Sequence, residues 1–148
     1  MSREANVSNL KTEKDGISIL HESMPGFMVP NKEERQFLYE LCNIDFSKYS
    51  RSVDAIQLLT SDFKQIKSRK DFMLLEVKTT KAKNVKKLPY GVFFGFTQNE
   101  EDLFKSEENY RLCIVHTGLE EYCCLDYNEY LSMIRNKRIQ YQINFRSE

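Results

Sequence analysis

No apolar run in the 148-residue chain approaches the roughly 20 residues of a transmembrane helix, so nothing in the sequence predicts a membrane protein. Residues 1–16 are polar and carry Glu4, Glu13 and Asp15, with no basic stretch leading into an apolar one. That pattern shows no secretory or transit peptide and predicts a cytoplasmic, intracellular protein. Cys42, Cys113, Cys123 and Cys124 lack any Cys-x-x-Cys spacing, which argues against a zinc site or disulfide framework and predicts reduced thiols. His21 and His116 have no second histidine at ligand spacing, and no motif brings either to a serine or cysteine nucleophile; both are expected to be structural. A Gly-rich phosphate loop, a helix-turn-helix, a zinc finger, internal repeats and low-complexity tracts are all absent. Sequence specificity, if any, must then come from loops or from a partner. Net charge is zero, which argues against a protein that coats nucleic acid with its whole surface.

The chain has the length of one ordinary domain and can bury a core without disulfides. The expected organisation is a flexible leader over residues 1–16 and a single domain over 17–148. Residues 17–30 mix apolar residues with Pro25, Gly26 and Pro30 and read as an irregular arm or a short strand. Asn31 caps a helix with Glu33 and Glu34 in its first turn and Phe37, Leu38 and Leu41 along one stripe. Residues 52–63 and 71–80 read as two strands of a hairpin joined by the charged link 64–70. Residues 91–97 read as a third strand, and Asn99 caps a helix running to residue 107. Residues 110–116 form a fourth strand. Residues 121–125 read as extended, 128–136 as a helix, and 138–145, where apolar and polar residues alternate, as a half-buried edge strand. The fold class expected is α/β (α+β), with helix, three strands, helix and strand in order and a mixed central sheet flanked by helices.

Within this frame Glu76-Val77-Lys78 closes the apolar run Phe72-Met73-Leu74-Leu75 and is the only Glu-x-Lys in the chain. Side chains two apart on a strand project from one face. The carboxylate and the ammonium therefore act on a common point. Glutamate oxygen is a ligand that hard divalent cations favour, and a lysine beside it can hold a water, which is the pairing that metal-assisted phosphodiester cleavage uses.

One glutamate makes a poor metal site, and hairpin geometry selects its partner. With the turn centred near residue 65, opposed residues sum to about 130, which sets Asp54 across from Glu76 on the same face. Asp62 would lie roughly 26 Å up the hairpin, and Asp71, an odd number of residues before Glu76, on the other face at roughly 17 Å.

Between residues 64 and 87 there are nine basic side chains against two acids, Asp71 and Glu76. Lys67, Arg69, Lys81, Lys83, Lys86 and Lys87 are the candidate phosphate contacts in this stretch.

These residues resemble the PD-(D/E)XK, or restriction-endonuclease-like, nuclease superfamily, in which an acid on one strand precedes Glu-x-Lys on the next. The stretch Glu76-Val77-Lys78-Thr79-Thr80, then Val92-Phe93-Phe94-Gly95-Phe96, then Thr97-Gln98-Asn99-Glu100, then residues 110–115 is most similar to the NO VEIN C-terminal and Mrr-like branch. The resemblance covers residues 54–116, and Val53 stands where the family has a proline. It implies that Asp54 and Glu76, with the backbone carbonyl of Val77, hold Mg²⁺ or Mn²⁺, that Lys78 orients the attacking water or neutralises charge, and that Gln98 adds a polar contact. Some members use a helix acid, which would here be Glu34. Glu100 matches the motif, although capping and the helix dipole account for an acid at that position. The long basic link 81–88 reads as a substrate-binding loop. The function implied is a Mg²⁺-dependent endonuclease acting on DNA in restriction, phage defence or repair, as a homodimer or within a larger complex. The alternatives are an RNA endonuclease, with DNA the favoured substrate, and a non-catalytic nucleic-acid-binding subunit.

Overall fold

A computed structural model describes the backbone of residues 3–147 and the side chains of residues 11–147. Five strands form one mixed sheet in sequential order: β1 (Phe27–Met28), β2 (Ala55–Leu58), β3 (Phe72–Thr80), β4 (Tyr110–His116) and β5 (Glu121–Leu125). All neighbours are antiparallel except β3 and β4, which run parallel. A parallel pair needs a crossover. The chain between them supplies it through α4 (Gln98–Ser106).

Strand alternation divides the core into two layers. Leu74, Ile56, Leu112 and Ile114 face α2 (Lys32–Cys42), α4 and α5 (Tyr127–Met133), and pack with Leu38, Tyr39, Phe104 and Tyr130. Ala55, Leu75, Cys113 and Val115 face α1 (Arg3–Ser23) and pack with Leu20 and Met24. On the second face Gly16 lets α1 approach β3 closely: a Cβ there would lie 2.2 Å from Thr79 Cγ2.

Local chemistry explains the helix starts. Asn31, Thr97 and Asp126 each accept the backbone N–H three residues on, while Glu34, Glu100 and Glu129 reach back to the cap residue's own N–H. These are reciprocal capping boxes. The short helix α3 (Phe46–Tyr49) is capped by Asp45, and Asn99 on α4 donates to the Lys48 carbonyl beside it at 3.1 Å.

The hairpin register agrees with expectation: Ala55 opposes Leu75 and Ile56 opposes Leu74, each pair summing to 130. Several expectations are corrected. Residues 3–16, read as a flexible leader, are helical and belong to α1; residues 1 and 2 lie outside the described residues. The strand expected over 52–63 is only Ala55–Leu58, because the chain before it is engaged by side chains and the link after it folds into two 3₁₀ turns, Phe63–Gln65 and Arg69–Asp71. Residues 91–97 join no ladder. Val92, Phe94 and Phe96 do alternate inward, but they pack on the core, with the Phe96 ring against Phe94, Phe104 and Tyr130, instead of pairing backbone, and the third strand of the meander is β1. Thr97, not Asn99, caps α4, and the last helix ends at Met133. Residues 138–145 also join no strand, leaving Ile139, Tyr141, Ile143 and Phe145 exposed. Period-two alternation specifies a strand only where an edge receives it. No helix among the described residues is long and apolar enough to cross a membrane.

Candidate active site

Asp54, Glu76, Lys78 and Glu100 converge on the α4 face of the sheet. Glu76 and Lys78 share the side of β3 that carries Phe72 and Leu74, since all occupy even positions. Asp54 enters from the residue before β2, and Glu100 from the first turn of α4.

The segment carrying Asp54 is held by three side chains. Tyr110 donates to the Ser52 carbonyl at 2.6 Å and Tyr39 to the Tyr49 carbonyl at 2.7 Å. Arg35, from α2, donates to the carbonyls of Val53 and Asp54, the latter at 3.0 Å. Asp54 N–H donates to the Leu75 carbonyl, and its Oδ2 accepts the N–H of Val77 at 2.8 Å, so the carboxylate is tied to the strand that bears its partners.

Lys78 Nζ lies 3.2 Å from Glu76 Oε1 and 3.4 Å from Glu100 Oε1, over the ring of Phe96 with its centroid 5.4 Å away. The Glu100 oxygen also accepts the N–H of Thr97 at 2.8 Å. Glu76 is 3% exposed, Glu100 6%, and Glu76 Oε2 is buried with no hydrogen-bond partner. Three acids around one base leave negative charge in excess in a site that water barely reaches.

The protonation pattern follows. Burial, the hydrogen bond with Glu100 and the charges of Asp54 and Glu100 outweigh the attraction of Lys78, and the Glu76 carboxyl is pushed up to about 11. Asp54 is also raised, first by burial, against the lowering pull of the Val77 N–H, Glu76 and Lys78. For Glu100, burial acts to raise the value, but hydrogen bonds from Glu76 and Thr97 and the charge of Lys78 bring it below the usual carboxylate range. Lys78 is lowered by burial and raised more by Glu76 and Glu100. The two carboxyls are thus driven apart: burial among like charges pushes Glu76 up, while the Thr97 N–H and Lys78 hold Glu100 down.

Among the described residues no group of three or more His, Cys, Asp and Glu side chains is spaced to hold a metal ion as it stands. The acids here are turned onto Lys78, onto backbone N–H groups and onto each other. Their chemistry still suits a hard divalent cation: the donors are carboxylate oxygens, one is orphaned, and a dication beside them would balance the excess of acids over Lys78.

The other candidates separate. Gln98 is exposed and donates to Asp102 at 2.8 Å along the outside of α4, so it does not join the carboxylates. Glu34 is used by its capping box with Asn31. Val77 lies within β3 with its N–H on Asp54. Lys81, Lys83, Lys86 and Lys87 are exposed beyond the carboxyl end of β3, whereas Lys67 and Arg69 are exposed before its amino end, so the six do not make one patch. His116 is structural: its Nδ1 accepts the Leu119 N–H and its Nε2 lies 2.9 Å from the Ala82 carbonyl. The four cysteines are unbridged, with Cys113 opposite Cys124 across β4 and β5.

Sequence reasoning missed two contributors. Glu100 matches the family motif but is left out of the expected site because capping and the helix dipole account for an acid there, yet one oxygen serves both the cap and Lys78. Arg35 had no sequence signal, because its role depends on the tertiary approach of α2 to β2. Comparison with known proteins found no matching family model, no matching curated protein and no matching solved structure.

Proposed function

We propose that this chain is a metal-dependent endonuclease that hydrolyses phosphodiester bonds, with DNA as substrate and Mg²⁺ or Mn²⁺ as cofactor. The observation that carries the reading is the convergence of Asp54, Glu76, Lys78 and Glu100 on one face, with Glu76 Oε2 buried and unpartnered. The order of elements supports a restriction-endonuclease-like core: the antiparallel meander β1–β2–β3, then α4, then β4 parallel to β3.

Asp54 and Glu76 are the residues that would hold the ion, with the Val77 carbonyl beside them, and when bound it would supply Lewis-acid polarisation of the scissile phosphate. The chain's own groups do the rest. Lys78, lodged between Glu76 and Glu100, orients the attacking water and offsets charge that builds on the phosphate oxygens. Glu100 is a positioning residue that aims Lys78 and keeps it ionised. Arg35 and Tyr110 fix the segment that presents Asp54.

The test is incubation of the purified protein with supercoiled plasmid and with single-stranded RNA, in Mg²⁺, Mn²⁺ or EDTA, beside Asp54→Ala, Glu76→Ala and Lys78→Ala. Metal-dependent cleavage that disappears in all three variants is the expected result, and the substrate cut decides between DNA and RNA. An uncut plasmid and RNA, with nucleic acid bound equally by the wild type and Glu76→Ala, would overturn the enzyme reading in favour of a binding subunit.

A further inference from the structure

Residues 81–97 carry four lysines and no acid. The segment is fixed to the sheet at several points. Val85 is buried and bonds back to Ala82, the Ala82 carbonyl meets His116, and the Ala82 N–H donates to Thr80 Oγ1 at 3.2 Å. Farther along, Val92, Phe94 and Phe96 pack on the core. Against this inward set two rings point out: Phe93 is 94% exposed and Tyr90 58% exposed, with Lys87 Nζ over the Tyr90 ring at 5.9 Å. Gly95 has open space where a side chain would stand. A lone exposed ring needs no explanation. Here two rings are presented by an anchored loop among Lys81, Lys83, Lys86 and Lys87, all exposed. The same segment leads to the site, since Phe96, three residues past Phe93 and about 10 Å of extended chain away, lies under Lys78.

We propose that this loop is a platform for an unpaired nucleic-acid strand, with Phe93 and Tyr90 stacking on bases and the four lysines tracking phosphates, and that the substrate presented to the site is single-stranded. Cationic side chains interleaved with free aromatic faces match a polyanion whose bases are unstacked; in a duplex those faces are already occupied. The proposal rests on the reading of the adjacent site as acting on phosphodiesters, but binding is measurable without cleavage.

The experiment is fluorescence anisotropy in EDTA with labelled oligothymidylate, oligouridylate, oligodeoxyuridylate and a DNA duplex of equal length, using the wild type, Phe93→Ala, Phe93→Trp, Tyr90→Ala and Lys86→Gln/Lys87→Gln. Both rings are exposed, so loss of fold does not confound their removal. Phe93→Ala and Tyr90→Ala should each weaken single-strand binding by about tenfold and leave duplex binding unchanged, whereas Phe93→Trp retains it. The lysine pair should weaken every nucleic acid and flatten the salt dependence for single strands by roughly 0.7 per lysine. Preference between oligouridylate and oligodeoxyuridylate, which share a base and differ only at the 2′-hydroxyl, assigns the sugar. Single-strand affinity no higher than duplex affinity, or unchanged by loss of either ring, overturns the proposal even if the protein cuts DNA. Ring-dependent binding by a protein that cuts nothing leaves it standing and removes the nuclease reading instead.

Discussion

Asp54 Oδ2 accepts the backbone N–H of Val77 at 2.8 Å, so a candidate metal ligand also closes the ladder between β2 and β3. The two duties separate by substitution. Asparagine keeps an acceptor oxygen but loses the charge, while alanine strands the Val77 N–H, at a cost of about 1–3 kcal/mol. Asp54→Asn should unfold within about 1 °C of the wild type and Asp54→Ala lower, by roughly 2–4 °C per kcal/mol lost. Both should lack cleavage. Thermal unfolding beside the plasmid assay checks the pair, and equal melting of the two variants would show the hydrogen bond to be idle.

Glu76 is buried among Asp54 and Glu100 with one oxygen unpartnered, an arrangement that favours a ligand over the unliganded fold. Glu76→Gln keeps the shape and removes the buried charge. In EDTA it should melt at least as high as the wild type, by roughly 2–4 °C if about 1 kcal/mol is recovered. Addition of Mn²⁺ should raise the wild-type melting temperature and leave the variant's unchanged. A metal shift of equal size in both proteins would place the ion elsewhere.

Gly16 and Thr79 set how closely α1 lies on β3. Alanine is the better helix former by about 1 kcal/mol, but its Cβ would sit 2.2 Å from Thr79 Cγ2 on a side chain stiff at χ1. Gly16→Ala alone should therefore destabilise the protein by about 1–3 kcal/mol, through overpacking. Gly16→Ala with Thr79→Ser removes the clashing methyl and should recover most of that loss. Chemical denaturation of the two singles and the double gives the coupling, and strict additivity would contradict the contact.

Glu107 closes α4 at the end where the helix dipole disfavours an acid, and its Oε2 is buried without a partner. Burial raises its carboxyl above the ordinary 4.5, with Arg69 pulling the other way. A raised acid contributes its stability below the unfolded value and loses it as pH climbs through the folded one. Glu107→Gln should thus gain on the wild type between pH 4 and pH 7. Melting curves at the two pH values, with the difference constant or reversed, would refute this.

How much could be read beforehand depended on whether a residue's role was local. The β3 and β4 strands, and the register of the β2–β3 hairpin, were legible because Phe72, Leu74 and Tyr110 to Val115 are placed by alternation and turn distance alone. The convergence of Asp54 on Glu76 came from the same arithmetic. By contrast, β1 has two residues, too few for any period to register. Gly16 read as the end of a polar leader; its true use, close approach to Thr79, exists only once α1 and β3 meet. Phe94 and Phe96 show a strand's alternation for a different reason, filling the gap beside Phe104. Arg35 and Glu100 are tertiary in the same sense.

Glu100 Oε1 faces Lys78 on one side and holds the N–H of Thr97 on the other. Thr97 is the hinge post between the aromatic, lysine-rich loop and α4. A cation that draws on this oxygen competes with the Thr97 N–H for it, while the Glu100 N–H to Thr97 Oγ1 bond at 3.1 Å still holds the cap, so the site and the start of α4 share a single atom.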